Sequence, residues 1–472
     1  MSMINPTLKP YPAYKPAAVP WLQQVPEHWE VSPGLSHLRF KQEKNTGMVV
    51  KQVLSLSYGR IVIKPKEKLT GLVPESFETY QIVGPGDIIV RATDLQNDRT
   101  SLRIGEVKDR GIITSAYLCL NVHSGMVPSF GYYLIHTYDL MKVLYGFGSG
   151  LRQNLDWKDF KRMPLAVPPP DEQHLIVRYL HALDAKVKRY IRTKRTLIAR
   201  LQEQKQAIIQ RAVTRGLNPN VKLKPSGVEW LGEVPDHWEE LPLKRIARFE
   251  NTGSWGHDAG EVEVPVATTA QIDRDGNFKV DAMPHRFFSS AEATRYTCTA
   301  GDILVVKSSG SMANVISGKC GIIRAGIEPF VFSNFLLRVR AVKTAIRPEY
   351  LFLLLRSHIT RERIKRMVSG STYPNLKVGE YTAAMFPIPK LEEQDVILHQ
   401  LMAQVGGIDK AEALVAQDIA TMQEYHTRLI ADVVTGAVDV REAVKAMKEE
   451  APVAMEEELA IETEVEEEHG TE

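Results

Sequence analysis

Two stretches of the chain carry apolar residues three or four positions apart, or at sums of these spacings, which is the pattern of one narrow helical face. In the first stretch these residues are Ile176, Leu180, Leu183, Val187, Tyr190, Leu197, Leu201 and Ile208. In the second they are Ile397, Leu401, Val405, Ile408, Val415, Ile419, Met422, Leu429 and Val433. Each stretch follows a proline block and opens with two acidic residues, Asp171-Glu172 or Glu392-Glu393, which a helix dipole favours in its first turn. The pattern predicts two long helices.

The length of the predicted helices indicates what they pack against. A continuous helix from Asp171 to Arg215 would extend roughly 67 Å at ~1.5 Å per residue, which is more than the width of an ordinary domain. Packing on its own globular domain cannot cover such a helix, so we expect the two helices to pack on each other, antiparallel. Lys194 and Lys205 interrupt the first seam and Gly406-Gly407 weaken the second helix, so local fraying or a kink is an open alternative there.

Much of the chain repeats itself once. The VPEHW run at 25–29 recurs as VPDHW at an offset of 209, and the GDIIV run at 86–90 recurs as GDILV at an offset of 215. From Asn154 to Thr214 the offset stays at 221. Loops absorb length changes and a packed helix does not, so the drifting offset marks globular parts and the constant offset marks the helices. We interpret the chain as a duplicated unit, in which a β-rich domain precedes a long helix.

The predicted fold class is α+β, with two β-rich domains in tandem repeat, separated by two long antiparallel helices of the coiled-coil type. The predicted division is a leader at 1–19, a first β-rich domain at 20–170, a first long helix at 171–216, a second β-rich domain with its preceding linker at 217–390, a second long helix at 391–441 and an acidic tail at 442–472 that we expect to be disordered.

The charges are segregated along the chain. In total, 59 Lys and Arg residues face 57 Asp and Glu residues, a formal net charge of +2. The segment from Glu449 to Glu472 holds 11 acidic residues and no Lys or Arg, so residues 1–448 carry a net charge of +13. A basic body favours a polyanionic partner, although a solvated surface with a solubilising tail is the alternative.

Composition disfavours membrane and secreted classes. The hydrophobic fraction of 44% and the charged fraction of 25% are typical of globular proteins. No apolar run approaches the ~20 residues that cross a bilayer, and the N-terminus lacks a signal peptide. Three cysteines are too few and too scattered for a disulfide framework or a zinc site. We therefore expect a cytoplasmic protein without membrane association.

No motif for catalysis is legible. Phosphate-binding and dinucleotide-binding glycine loops, a methyltransferase tetrapeptide and clustered histidines are all absent, so no catalytic residue, metal or cofactor is predicted. The strand that begins at Asp302 is similar to half of a nuclease site, but Val305 stands where a second carboxylate is needed. His28 and His237 recur beside tryptophans, where packing is the expected role.

In combination, the repeated motifs resemble the specificity (S) subunit of Type I restriction–modification systems. The runs that carry the resemblance are VPEHWE and VPDHWEELPLKRI, PGDIIV and AGDILVV, VPPPDEQHLIVRYLHALDAKV and IPKLEEQDVILHQLMAQVGGID, and finally AVTRGLNPNVKLKPSGVEWLGEVPDHWE and VVTGAVDVR. Their order and duplication extend over nearly all of residues 20–441, and the leader and the acidic tail are departures from the common pattern.

The resemblance implies two target-recognition domains, each similar to the DNA-reading domain of certain adenine methyltransferases. Each would read one half of a split double-stranded DNA site. The helices would set the spacer and dock two modification (methyltransferase) subunits, and a restriction (motor and nuclease) subunit would join the assembly. The chain itself would be non-catalytic. Because the two β-rich domains differ in sequence, we expect an asymmetric site.

Two loops in each unit are candidate DNA contacts, because they hold polar or basic residues and recur in both units. In the first unit the candidates are Arg91, Thr93, Gln96, Asn97 and Arg99, followed by Arg152, Gln153 and Asn154. In the second they are Lys307, Ser308, Ser309 and Ser311, followed by Ser371, Thr372, Tyr373 and Asn375. The alternative is that these loops are only turns, in which Asn154 and Asn375 bond their own backbone.

Two other function classes stay open. A nuclease or methyltransferase with a degenerate motif would show activity as the pure chain with DNA, magnesium and S-adenosylmethionine. A coiled-coil scaffold whose globular ends bind protein would show no salt-dependent affinity for DNA.

Overall fold

The computed structural model describes residues 8–65, 76–98, 101–148, 153–227, 231–250, 252–308, 315–369 and 375–447. Helices and strands are mixed throughout this part of the chain, so the predicted α+β class is confirmed. The chain forms two compact units, of which unit 1 comprises Met1–Thr193 with Asp418–Glu472 and unit 2 comprises Lys194–Gln417. Each long helix therefore contributes one part to each unit.

Unit 1 is built on a four-stranded antiparallel sheet. The strands of unit 1 as a whole are β1 (Tyr14–Val19), β2 (Leu22–Pro26), β3 (Glu30–Pro33), β4 (Leu38–Lys41), β5 (Leu54–Ser57), β6 (Arg60–Ile63), β7 (Gln81–Val83), β8 (Ile88–Val90), β9 (Ile104–Glu106), β10 (Gly111–Ile113), β11 (Leu118–Val122) and β12 (Pro164–Val167). The sheet has the order β4-β11-β8-β9, and the other strands pair as β1-β2, β3-β12, β5-β6 and β7-β10. Its helices are α1 (Pro128–Leu140), α2 (Trp157–Arg162) and the first part of α3 (Pro170–Arg215).

Unit 2 has a sheet of the same kind. Its strands are β13 (Leu223–Pro225), β14 (Glu233–Pro235), β15 (Glu239–Pro242), β16 (Ala247–Glu250), β17 (Val262–Ala267), β18 (His285–Phe288), β19 (Asp302–Val306), β20 (Cys320–Ile322), β21 (Val331–Phe332), β22 (Leu336–Ala341), β23 (Val368–Ser369), β24 (Asn375–Leu376) and β25 (Met385–Ile388). Its helices are α4 (Leu243–Ile246), α5 (Ser290–Tyr296), α6 (Pro348–Arg356), α7 (His358–Arg366), α8 (Val378–Ala383) and the first part of α9 (Leu391–Val434).

The sequence repeat is a repeat of the fold. The central sheet of unit 2, β16-β22-β19-β20, matches that of unit 1 strand for strand, and the pairs β13-β14 and β15-β25 match β1-β2 and β3-β12. The units differ in one segment, which lies between β4 and β11 in unit 1 and between β16 and β22 in unit 2. There unit 1 inserts the pairs β5-β6 and β7-β10, and unit 2 inserts α5 and the sheet β18-β17-β21. These insertions lie in the interval where the sequence offset changes.

The two long helices pack antiparallel within each unit. In unit 1, Asp184 of α3 accepts a hydrogen bond from His426 of α9 at 2.6 Å. Burial raises the pKa of Asp184, but hydrogen bonds from His426 and Tyr133 and the nearby charge of Lys188 together outweigh it and lower that pKa overall. The apolar positions that the spacing singled out are buried here, namely Ile176, Leu180, Leu183 and Val187 on α3, and Met422, Leu429 and Val433 on α9. The predicted seam is confirmed within this unit, where Tyr190 and Ile419 are half-buried. Leu197, in the part of α3 that belongs to unit 2, is 42% exposed, contrary to the prediction.

In unit 2 the same helix pair contains polar contacts. Lys205 donates to Asp409 at 2.6 Å, and Gln202 donates to Glu412 at 2.6 Å, so the numbering rises on one helix as it falls on the other. Lys205 interrupts the apolar seam, as the sequence indicated. Its charge is compensated by two ion pairs, one with Asp409 and one with Asp275 at 3.1 Å. Helix α9 continues through Gly406-Gly407.

A tryptophan–glutamate contact joins each β-rich domain to its long helix. Glu172, in the first turn of α3, accepts hydrogen bonds from Trp29 Nε1 at 3.0 Å and Tyr11 Oη at 2.7 Å, and lies 2.7 Å from His28 Nε2. Glu393, in the first turn of α9, repeats the contact with Trp238 at 3.0 Å and His237 at 2.8 Å. The repeated His-Trp pairs therefore bind the acidic residue that the helix dipole also favours.

Residues near both chain ends also belong to the fold of unit 1. Strand β1 lies within the segment that the sequence assigned to the leader, and the backbone N–H of Asp439 donates to Lys9 O at 2.8 Å. After α9 the chain forms the short helix α10 (Arg441–Ala446), whose Val444 is buried in the core of the unit. The acidic segment from 449 to 472 lies outside the described residues.

Candidate nucleic-acid interface

A buried aspartate marks the start of each central strand, since Asp87 directly precedes β8 and Asp302 is the first residue of β19. Asp87 accepts hydrogen bonds from Gly84 N at 2.8 Å and Lys41 Nζ at 2.6 Å. Asp302 accepts from Thr299 N at 3.0 Å and from Arg340 Nε at 2.6 Å. Both carboxylates close the turn that precedes the strand and neutralise a neighbouring cation. Their contacts are those of structural residues, which fits the sequence interpretation that Asp302 starts a core strand.

The first candidate loop of unit 1 follows β8. Arg91 forms an ion pair with Asp98 at 3.3 Å, and Asn97 Nδ2 donates to Asp94 Oδ1 at 2.8 Å. Gln96 and Asn97 are exposed, whereas Arg91 and Thr93 are half-buried. Asp94 has a φ of +61°, a left-handed conformation that Asp tolerates better than most residues. The loop therefore has a defined conformation and presents Gln96 and Asn97 to solvent.

A fully buried arginine lies beneath this loop. Arg103, which immediately precedes β9, has 0% exposure, and its guanidinium donates four hydrogen bonds to backbone carbonyls of the loop. The acceptors are the carbonyl oxygens of Arg91, Thr93, Asp94 and Asp98. Sequence reasoning missed Arg103, because nothing local distinguishes a buried arginine from an exposed one.

The second candidate loop of unit 1 meets the first. Asn154 Oδ1 accepts a hydrogen bond from Asp94 N at 2.9 Å, and Leu155 N donates to Ala92 O at 2.8 Å. Gln153 has a φ of +49°, and its Nε2 donates to the carbonyls of residues 145 and 147. Two loops that are 60 residues apart in sequence thus form one surface. Asn154 bonds the backbone of the other loop, and not its own as the turn alternative supposed.

The corresponding loops meet in unit 2 as well. Leu376 N donates to Lys307 O at 2.8 Å, and Ser308 and Asn375 form an isolated antiparallel bridge. By the offsets of the sequence repeat, this hydrogen bond corresponds to the one that Leu155 N donates to Ala92 O in unit 1. Partial burial lowers the pKa of Lys307. Asn375 is exposed and Ser308 is half-buried.

The remaining candidates fall outside the described part of the chain. These residues are Arg99, Arg152, Ser309, Ser311, Ser371, Thr372 and Tyr373. Contact with DNA stays a prediction for them, as it does for the candidates that the structure describes.

Exposed aromatic side chains lie beside both loop pairs. Phe335 of unit 2 is 49% exposed, and its carbonyl accepts hydrogen bonds from Lys307 N at 2.8 Å and Ser308 N at 3.4 Å. Tyr58 of unit 1 is 80% exposed at the tip of the β5-β6 hairpin, and the adjacent Gly59 packs closely against Leu102, the neighbour of Arg103. Sequence analysis overlooked both, since only tertiary contacts bring them to the loops.

Within the described residues, no group of three or more His, Cys, Asp or Glu side chains is arranged to hold a metal ion. The three cysteines are buried and unpaired with each other, and burial raises the pKa of Cys119 and Cys298 to about 12 and that of Cys320 to about 11. None of the described helices is long and apolar enough to cross a membrane.

Comparison with known proteins assigns the chain to a family. The sequence profile of the Type I restriction modification DNA specificity domain matches residues 41–199 and 289–409. The Type I restriction enzyme MjaVIII specificity subunit of Methanocaldococcus jannaschii is 22% identical over 426 residues, which covers 89% of this chain and 95% of that protein. The StySPI specificity subunit of Salmonella potsdam is 28% identical over 137 residues, 29% of each chain.

A solved structure agrees at the level of the fold. One chain from a structure described as showing complex assembly and conformational transition of the type I R-M system matches with a TM-score of 0.59 and 13% identity. The match covers 87% of this chain and 99% of that chain. With two matches of the family profile along one duplicated fold, the chain belongs to the family of Type I restriction–modification DNA specificity proteins.

Proposed function

We propose that this chain is the DNA sequence-specificity subunit of a Type I restriction–modification complex, and that each unit reads one half of a bipartite site. One relative, matched over 89% of this chain, carries this function in its name. The observation that carries the proposal is the duplicated sheet, on which two polar loops meet through the same backbone hydrogen bond in both units. A basic body with a net charge of +13 over residues 1–448 supports contact with phosphates.

The two half-sites are expected to differ. Unit 1 presents Gln96 and Asn97 from its first loop, and these amides can pair with the hydrogen-bonding edge of adenine in the major groove. The described part of the corresponding loop in unit 2 holds Lys307 and Ser308 instead. Because unlike donors and acceptors face the bases, the complete site is asymmetric.

The partners follow from the same arrangement. The chain presents its long helices twice, as two related surfaces, which suits two copies of one modification (methyltransferase) subunit. A restriction subunit with motor and nuclease activity completes the complex. The continuous helices α3 and α9, of 46 and 44 residues, set the number of unread base pairs. The chain itself contributes recognition and no catalytic group.

Mapping of methylated adenines tests the proposal. A host that carries this chain with its modification subunits should acquire methylation at one asymmetric motif, made of two short half-sites around an unread spacer. The purified chain alone should transfer no methyl groups. Methylation that does not depend on the chain, or robust transfer by the chain free of partner, would overturn the proposal.

A loop variant sharpens the test. Gln96→Ala should relax one position of one half-site and cost about 1–3 kcal/mol of discrimination there if Gln96 contacts a base edge. Gln24→Ala, which alters an exposed glutamine on β2 of the same unit, is the matched control and should leave the motif unchanged. An equal response of both variants would remove the loop from the recognition surface.

A further inference from the structure

The recognition loop of unit 1 is folded around a charged group and not around apolar side chains. Four carbonyl oxygens of residues 91–98 point inward to the guanidinium of Arg103, at 3.2 Å for Arg91, 2.7 Å for Thr93 and 3.2 Å for Asp94, with Asp98 as the fourth acceptor. Inward carbonyls without a donor would be costly, because a buried unsatisfied acceptor costs about 1–3 kcal/mol. This loop conformation therefore depends on a donor at the position of Arg103.

Tyr145 completes the site around Arg103. Its hydroxyl accepts from Arg103 Nε at 3.1 Å and donates to Asp98 O at 3.1 Å, while its ring lies 5.6 Å from the guanidinium carbon. The backbone N–H of Arg103 donates to Asp139 of α1 at 2.8 Å, which fixes the arginine to the core. Lysine cannot replace this arrangement, because its single ammonium lacks the planar fork of five donors.

A half-buried arginine performs a comparable task in unit 2, although it comes from a different element. Arg361 of α7 donates from Nη1 to Ser317 O at 2.6 Å and from Nη2 to Val315 O at 3.5 Å. These carbonyls belong to the segment that leads from the loop after β19 into β20. The arginine approaches the backbone so closely at Gly318, with its φ of +81°, that a Cβ there would lie 2.6 Å from Nη1.

We propose that Arg103 and Arg361 are positioning residues for DNA specificity. Arg103 holds the backbone of the first loop of unit 1, and Arg361 holds the backbone segment that joins the loop after β19 to β20, and each thereby determines the bases that one half-site accepts. The inference rests on the proposed function, since it concerns the loops assigned to base recognition. Arg103 is fully buried, and both guanidinium groups donate to backbone carbonyls. Each acts through the backbone that it binds, so loss of the fork loosens the loop and lets it accept bases that the parent rejects.

The bipartite site supplies the test. The full chain carrying Arg103→Lys, assembled with its modification subunits, should relax one half-site, so that the ratio of methylation at cognate and single-mismatch sites falls about tenfold or more. The other half-site and the spacer should stay as in the parent. Arg361→Lys should relax the opposite half-site. A merely structural role would lower the thermal midpoint and overall methylation without selecting one half.

Arg338→Lys is the matched control. Arg338 is also a buried arginine of unit 2 that binds carbonyl oxygens, but its acceptors are Thr297 and Arg295, and its ion pair is with Glu250. It should cost stability and leave the motif unchanged. If Arg103→Lys does not accumulate as folded protein, Tyr145→Phe tests the proposal in its place. This variant removes the hydroxyl that binds Arg103 and keeps the ring, so it should relax the same half-site more weakly.

The outcomes separate the two proposals. Relaxation confined to one half-site per variant supports the inference. An unchanged motif in both arginine variants, or in Tyr145→Phe, overturns it while the proposed function stands. Absence of any chain-dependent motif in the parent overturns the proposed function itself.

Discussion

The contact between Glu172 and the His-Trp pair predicts an unequal effect of the same substitution in the two units. Glu172→Ala removes the acceptor of two buried donors, Trp29 Nε1 and Tyr11 Oη. Glu393→Ala removes the acceptor of one buried donor, that of Trp238. The surroundings differ in the same direction, because the side chain of Glu172 is 7% exposed and that of Glu393 is 32% exposed.

The expected magnitude follows from the donors left without a partner. Each buried donor that loses its acceptor costs about 1–3 kcal/mol, so Glu172→Ala should cost ~2–6 kcal/mol and Glu393→Ala ~1–3 kcal/mol. Burial and the hydrogen bond to Glu172 raise the pKa of Tyr11, so its hydroxyl remains a donor at neutral pH. Glu172→Gln keeps an acceptor oxygen and loses only the charge at the helix N-terminus, about 0.3–1 kcal/mol.

Urea unfolding of the full chain, followed by far-UV circular dichroism, measures these differences. The change in the unfolding free energy is taken from the shift of the midpoint, provided that the slope m is the same in all variants. The two alanine variants remove the same atoms, and the more buried side chain of Glu172 loses more packing, which adds to the difference in the same direction. Equal costs at the two positions, or a Glu172→Gln variant as unstable as Glu172→Ala, would refute the reasoning.

Three further predictions concern the helices and the loops. Duplicating four residues at Arg200 adds ~6 Å to α3 with little net rotation. At ~3.4 Å per base pair the unread spacer should lengthen by about one or two base pairs while both half-sites persist; methylation mapping that finds altered half-sites with the old spacer contradicts this. Lys205→Met combined with Asp409→Leu should keep stability within about 1 kcal/mol of the parent, since Asp275, the other partner of Lys205, keeps its ion pair with Arg356 and an apolar pair replaces the lost contact. Lys205→Ala alone should cost about 1–3 kcal/mol, and thermal unfolding distinguishes the two. Phe335→Ala should weaken DNA binding by the assembled complex by about 1–3 kcal/mol at unchanged thermal stability, if the ring meets a thymine methyl; unchanged affinity in a filter-binding titration would exclude that contact.

Patterns that are local in the chain were enough to predict the repeat, the long helices and the start of the central strands. Helical spacing identified Leu180 and Leu429 as buried seam residues, because one helix face recurs every three or four positions. The duplicated motifs located the loops after β8 and β19, since turn residues such as Gly86 and Asp87 act within a few positions of themselves. The sequence placed Glu172 in the first turn of a helix, but it did not identify the residues that bind the Glu172 carboxylate.

Tertiary structure alone decided what holds the loops. Arg103 is charged, so composition places it on a surface, yet the fold buries it completely and surrounds it with carbonyls of the first candidate loop. The bond between Asp94 and Asn154 joins residues 60 positions apart, and no local pattern encodes such a distance. Lys205 looked like a break in an apolar seam and is compensated by Asp409 on the other helix. In each case the spacing of residues along the chain does not reveal the partner, because burial of a polar group depends on which acceptors the whole fold brings within hydrogen-bonding reach.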